Sequence, residues 1–242
     1  MNVIFSPSTI PSFNIAAEEF LFKKLGADFL FLYVNDPSII IGSNQVVMNE
    51  VDIDFCIDND ITIIRRLSGG GAVYHDRGNF NYSFIHDKTG APLSANFLKP
   101  ILETLHSLNI PVEIGKRKDI WLDGKKISGT ASHVSKGREL HHGTLLYNSN
   151  LNKLQEALTS KQKDSTKKGT PSVPSPVTNI HTFFYNINGY AAETDCFFQT
   201  LIKELLLYFD ETELTPLEVD DIRLIEELRV NKYIQRDWNY RM

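Results

Sequence analysis

Residues 65 to 76 read RRLSGGGAVYHD, which places two arginines, three consecutive glycines and a His-Asp pair in one short span. Glycine surrenders more backbone freedom on folding than any other residue, so three in a row weaken helix and strand alike. Two uses offset that loss: close backbone approach to a ligand, and presentation of several N–H groups to an anion. Arg65 and Arg66 add fixed positive charge in a fork suited to phosphate or carboxylate. A nucleotide is the natural candidate. The plainer alternative is a glycine-rich turn between strands with exposed arginines.

Other chemistries find less support. The chain has no GxxxxGK[ST] and no GxGxxG between a strand and a helix, which disfavours a P-loop and a Rossmann site. Seven histidines include no HExxH, and His141 and His142 are neighbours that a strand would point to opposite faces, so no metal site is expected. A Ser-His-Asp hydrolase lacks its GxSxG elbow, and His75 and Asp76 point apart in a strand. The second informative stretch is KKISGTASHVSKGRELHHGTLL at 125 to 146. A strand lysine beside an SG turn, backed by HHG, could aim a charge into a cleft, although lysines also protect exposed strand edges.

These residues need elements to hold them. Apolar spacing in FNIAAEEFLFKKL (13–25) predicts an opening amphipathic helix, with Ser12 as a plausible cap. FLFLYVN and SIIIGSN look like two adjacent strands, and ITIIRR (61–66) is a third that delivers the arginines into the glycine loop. AVYHD and NFNYSFIH read as strands joined by Arg77 and Gly78. A helix is expected over 95–109, then a β-meander with its turn at Asp123-Gly124, a strand at HHGTLLYN and a short helix at LNKLQEALTS. Residues 161–178 form a polar loop too long for a simple connector. Helices follow at 193–209 and 216–229, before an aromatic tail WNY. Strands without regular βαβ alternation point to an α+β fold in one domain.

Composition bounds the setting. A 242-residue chain with 42% apolar residues is long enough for a real core. No signal-like start and no apolar stretch of membrane-spanning length are visible, so a cytoplasmic protein without a membrane partner is expected. A net charge of −5 gives no general attraction to nucleic acid. Cys56 and Cys196 are far apart without CxxC spacing, and both read as buried apolar residues.

Taken together, NIAAEEFLF, IIIGSNQ, RRLSGGGAVYHDRGNFNYSF, DGKKISGTA, HHGTLL and KGTPSVPSPVTN occur in the order found in the lipoate-protein ligase A family, which this chain resembles over nearly its whole length. The resemblance implies an α+β fold: a mixed, mostly antiparallel sheet flanked by helices, shared with biotin protein ligases and related to class II synthetase catalytic domains. It implies an enzyme that activates lipoate with ATP and Mg2+ to lipoyl-AMP. The acyl group then passes to a lysine of a lipoyl domain, in a 2-oxoacid dehydrogenase E2 or a glycine cleavage H protein. By the same resemblance Lys126 is the catalytic residue. The ligands are expected at Arg66, Ser68, Gly69, Gly70, Gly71, Ala72, Val73, Tyr74, His75, Asp76, Asn79, Lys126, Ser128, Gly129, His142, Gly143 and Lys168. The loop at 161–178 would close over the adenylate.

Three departures from the family pattern stand out. Ser43 sits where arginine is usual, and Pro174 and Pro176 replace arginines, which removes cations and fixes φ in the loop. The chain also stops where many full ligases continue into an accessory C-terminal domain, so residues 1–242 are expected to form a single catalytic domain with a possible separate accessory subunit. Two alternatives stay open: a cysteine-dependent octanoyl or lipoyl transferase of the same superfamily, and a non-catalytic relative that binds lipoate or a lipoyl domain.

Overall fold

The computed structural model describes residues 1–88, 95–164 and 166–241. The chain opens with β1 (Asn2–Phe5), helix α1 (Pro11–Lys23), β2 (Phe29–Val34) and β3 (Ser38–Ile41). Two short helices, α2 (Val47–Glu50) and α3 (Ile53–Asp58), lead to β4 (Thr62–Arg65), β5 (Val73–His75) and β6 (Asn79–Asp87). Helix α4 (Lys99–Ser107) precedes β7 (Val112–Ile114), β8 (Ile120–Leu122), β9 (Lys125–Ser128), β10 (Thr130–Ser135) and β11 (Arg138–Leu146). Helices α5 (Leu151–Ala157), α6 (Ile180–Asn188), α7 (Thr194–Tyr208), α8 (Val219–Leu228) and α9 (Arg236–Asn239) complete it. A π-turn at Arg229–Tyr233 follows α8.

The strands form three sheets: β1-β2-β6-β11-β10, β4-β3-β5 and β7-β8-β9. Among the described strands only β1 with β2 and β3 with β4 pair in parallel, so the fold is α+β with mostly antiparallel pairing, as expected. One expectation changes. Strands β2 and β3 follow each other but enter different sheets, and so do β5 and β6. The cause is visible in β2, whose six residues FLFLYV are all buried. Leu30, Leu32 and Val34 pack under α4 and α7, while Phe29, Phe31 and Tyr33 pack under α1 and α8. A strand covered on both faces is apolar throughout, so its sequence carries no sign of which neighbour it pairs with. A smaller third core fills the space between the second sheet and α2, α3 and α5.

Helix α1 spans Pro11–Lys23, close to the predicted range, and Pro11 occupies its first turn, where a missing N–H costs nothing. The β-meander is present, and its turn residues Asp123 and Gly124 have φ of 50° and 71°, both in the left-handed region that tight hairpins use. Strand β1 and helix α6 had no counterpart in the sequence reading. No helix among the described residues is long and apolar enough to cross a membrane.

The turn between β5 and β6 links two sheets through Gly78, whose carbonyl accepts from the N–H groups of Tyr147 and Asn148. A Cβ at Gly78 would lie 2.0 Å from the carbonyl oxygen of Asn148. Backbone on both sides leaves no flexible atom to yield. Gly78→Ala is therefore expected to cost about 2–3 kcal/mol of stability, as overpacking does; a urea midpoint equal to that of the parent protein would show that this contact is not tight.

Candidate active site

The glycine loop is built by contacts on both sides. Strand β4 ends at Arg65 and β5 starts at Val73, and Gly70 between them adopts φ +84°, which glycine tolerates best. A Cβ at Gly42 would fall 2.2 Å from the Gly70 carbonyl oxygen, so the two loops approach at a distance only glycine permits. Arg66 fastens this arrangement. Its Nε donates to Ser68 Oγ at 2.8 Å, Nη1 to the Ile40 carbonyl at 2.7 Å, and Nη2 to the carbonyls of Gly69 and Gly71 at 2.6 and 2.8 Å.

Behind the loop lies a polar chain that no sequence spacing disclosed. Ser68 Oγ, which accepts from Arg66, lies 2.7 Å from His142 Nε2, and His142 Nδ1 lies 3.0 Å from Glu18 Oε1. One assignment satisfies every member: Ser68 donates to Nε2 and His142 donates through Nδ1–H to the carboxylate. Glu18 comes from α1 and also accepts from the hydroxyls of Tyr33 and Ser83. Burial opposes its ionisation, but His142, Ser83 and Tyr33 together hold its carboxyl below the ordinary value. The Ser-His-carboxylate order is hydrolase-like, yet Ser68 is 1% exposed and tied to the arginine. The chain orders the loop.

In front of the loop is a cavity of about 320 Å³ lined by Arg66, Gly70, Gly71, Ala72, Val73, His75, Lys126, Gly129, His142 and Gly143. Asp119 is the one carboxylate among its lining residues. Its Oδ2 lies 3.7 Å from Lys126 Nζ and 3.9 Å from Arg117 Nη2, and it is buried without a hydrogen-bond partner among the described residues. Burial lowers the Lys126 pKa, an effect that Asp119 offsets and Arg117 reinforces. His75 faces the same space. The Asn35 amide lies 3.0 Å from His75 Nδ1, and the Asn35 oxygen already accepts from Asn14, so the amide nitrogen donates and Nε2 carries the imidazole proton. That Nε2 is buried with no partner among the described residues, which leaves a donor for a ligand.

Residues 170–173 close the other side of the cavity. Gln45 Nε2 donates to the Thr170 carbonyl and Ser172 Oγ, Ala72 N–H donates to Ser172 Oγ at 3.0 Å, and Thr170 N–H donates to the Asn44 carbonyl at 2.8 Å. Further on, Pro176 accepts from the Lys126 N–H, and the Thr178 N–H donates to the Lys126 carbonyl. The polar loop is thus a strap tied to the glycine loop and to β9. Ser165 lies outside the described residues.

Several expected ligand residues lie off the cavity. Tyr74 is buried in the third core, since its strand neighbours Val73 and His75 take the cavity side. Asp76 accepts from the Gly78 and Asn150 N–H groups at 2.9 and 2.7 Å, which makes it a clamp for two turns. Asn79 stands two residues earlier on β6 and donates to Asn81, which does line the cavity. Ser68 and Ser128 are buried behind the wall, Gly69 belongs to the loop without being a lining residue, and Lys168 is exposed on the strap without lining the cavity. Arg117, Asp119, Tyr33, Asn81 and Thr144 join the site unpredicted. The charged run KRKD was the one available signal for the first two. Cys196 is exposed on α7, contrary to expectation, because it sits on the helix face away from Phe197 and Leu201. Cys56 is buried in the third core, and burial there, with Asp52 nearby, pushes its thiol up to about 12.

Residues 10–205 match the model of the lipoyl protein ligase A/B catalytic domain. The chain belongs to this family. It is 37% identical to the lipoate-protein ligase LplJ of Bacillus subtilis over 236 residues, covering 95% of this chain and 70% of that protein. Its fold is similar to that of a lipoate-protein ligase A bound with ATP, with a TM-score of 0.82 at 26% identity, covering 99% of this chain and 98% of that one. A bi-partite lipoate protein ligase from Thermoplasma acidophilum, studied with its E2 lipoyl domain, is similar with a TM-score of 0.78 at 25% identity, covering 98% and 94%.

Burial, and after it Arg66 and His142, push the pKa of His75 down to about 3. The folded value lies below the unfolded one of about 6.5, so His75 stays neutral in the native state while it charges on unfolding below that pH. Its contribution to stability is present above about pH 6.5 and is lost as the pH falls toward 3. In an NMR titration the ring protons of His75 are expected not to shift between pH 8 and 5; a midpoint near 6.5 would mean that the ring is solvated.

Proposed function

We propose that this protein is a lipoate-protein ligase that uses MgATP to attach lipoate to a lysine of a lipoyl domain. The observation that carries the reading is Lys126, a partly desolvated lysine in a cavity whose other wall is the glycine loop. In the first step a lipoate carboxylate oxygen attacks the α-phosphorus of ATP, and the bond to pyrophosphate breaks. In the second the acceptor amine attacks the carbonyl carbon, the bond to AMP breaks, and the amine loses a proton. Negative charge grows on phosphoryl oxygens in one step and on the carbonyl oxygen in the other. A fixed cation between those positions stabilises both.

The remaining residues fit the same chemistry. Arg117 adds a second cation at the cavity, and neutral His75 offers an N–H without carrying charge. Arg66 spends four donors on the protein, so it shapes the loop as well as contributing positive charge. Asp119 has the unpartnered oxygen that would hold Mg2+, which when bound neutralises phosphate charge. The strap excludes water from an anhydride that water would hydrolyse. Neither Cys56 nor Cys196 is among the described residues that line the cavity, which disfavours a thioester route. A reaction that draws on ATP is consistent with a cytoplasmic protein. Lipoyl domains of E2 or H proteins are the acceptors this reading requires, and the relative studied with its E2 lipoyl domain supports the choice.

Incubation with lipoate, MgATP and an apo lipoyl domain is expected to add one lipoyl mass to the domain, measured on the intact protein. Lys126→Ala should slow pyrophosphate release by about 100- to 1000-fold with an unchanged circular dichroism spectrum; near-parental release would remove Lys126 from the chemistry. A mass gain from octanoyl carrier protein without ATP would instead assign acyl transfer. Tryptic cleavage after Lys168 is expected to slow when lipoate and MgATP are present together, and equal cleavage with and without them would argue against a closing strap.

A further inference from the structure

The face of the central sheet opposite Glu18 and His142 carries a second cluster of chemistry-bearing side chains. Strands β6 and β11 pair antiparallel with His86 across from Glu139 and Phe84 across from His141. Residues directly opposite share a face, as do residues two apart on a strand, so His86, Glu139 and His141 project together. Their ligand-type atoms all lie within 4.8 Å of one another. Glu139 and His141 are 3% and 1% exposed, and His86 is half-buried, so the group has a closed floor and an open mouth.

We propose that His86, Glu139 and His141 form a binding site for a divalent transition metal, with Zn2+ as its natural occupant. Three observations converge on it. Glu139 Oε1 is buried without a hydrogen-bond partner among the described residues, an expensive state for a carboxylate oxygen. Each histidine has its Nδ1 engaged, which directs its Nε2 to the cluster: His86 Nδ1 lies 2.8 Å from the Asp87 carbonyl and His141 Nδ1 lies 2.7 Å from Ser132 Oγ. A hydrogen bond from the far ring nitrogen to an oxygen is how metal-bound histidines are held in tautomer and orientation. Third, Phe97 stacks on the His141 ring at 4.4 Å and 8°, which fixes the ring plane.

Without a metal, His141 Nε2–H donates to Glu139 Oε2 at 2.9 Å, and the Ser132 hydroxyl donates to Nδ1. Metal entry displaces the Nε2 proton, moves it to Nδ1 and turns the serine hydroxyl into an acceptor, so the imidazole remains neutral. Two imidazoles and one carboxylate are the donor set of open zinc sites, which complete their coordination with water. His141 precedes His142 in the chain, so the metal would pin the strand that carries the Glu18–His142–Ser68 chain on its other face. The site is independent of the ligase reading.

The test is calorimetric titration of the chelator-treated protein with ZnCl2, paired with visible absorption on addition of CoCl2. One equivalent of Zn2+ should bind, and Co2+ should give the intense absorption of a four- or five-coordinate ion. Ser132→Ala should weaken Zn2+ binding by about 10- to 100-fold, as loss of an orienting partner does. His86→Ala and Glu139→Gln, each checked for an unchanged circular dichroism spectrum, should weaken it further. Absence of stoichiometric binding overturns the proposal, as does binding that survives unchanged in both His86→Ala and Glu139→Gln.

Discussion

Two adjacent guanidinium groups are buried where β4 meets the glycine loop, and the site's geometry hangs on how their charge is accommodated. Arg65 donates to the carbonyls of Gly42, Ser43, Gln45, Trp238, Asn239 and Arg241, and Arg66 to those of Ile40, Gly69 and Gly71. A buried cation is tolerable only with such a shell. Burial lowers both groups to about 10, with each arginine opposed by a neighbouring one, and both remain charged at neutral pH. The carbonyls they recruit belong to three separate segments, which are thereby drawn to one point. The entropy lost by three glycines is offset here, and the negative charge that balances Arg66 arrives through Ser68 and His142 from Glu18.

The cavity that results carries an excess of positive charge. Arg66, Arg117 and Lys126 line it against Asp119 alone, and His75 contributes a donor without contributing charge. Such a space favours a polyanion with few fixed contacts and keeps a lysine responsive to the charge beside it. Net charge over the whole chain is −5, so the attraction is confined to this concavity.

What could be read from the sequence was what lay within short motifs. RRLSGGG, KKISG and HHG each carry their chemistry locally, and the structure brings Arg66, Gly70, Gly71, Lys126, His142 and Gly143 to one cavity. Tyr33 and Asn81 escaped notice because sheet register, not spacing, brings them there, with Tyr33 facing Asn81 across β2 and β6, and Glu18 because it reaches His142 from helix α1. The same reason hid the His86–Glu139 pairing, since adjacency in the chain separates His141 from His142 while pairing across strands joins residues more than fifty positions apart. The exposed Cys196 shows the limit of composition, since a free cysteine on a helix follows the face it lands on.

Lys126 forms an isolated parallel bridge with Val177, with its N–H and carbonyl both bonded to the strap. Arg117 is held by the same segment through Ser175. Lys126 and the segment that walls the cavity beside it are therefore fastened to each other. Lifting the cover strips the backbone of Lys126 of two hydrogen bonds and releases the neighbouring cation. The placement of both cations is thus coupled to that of residues 175–178.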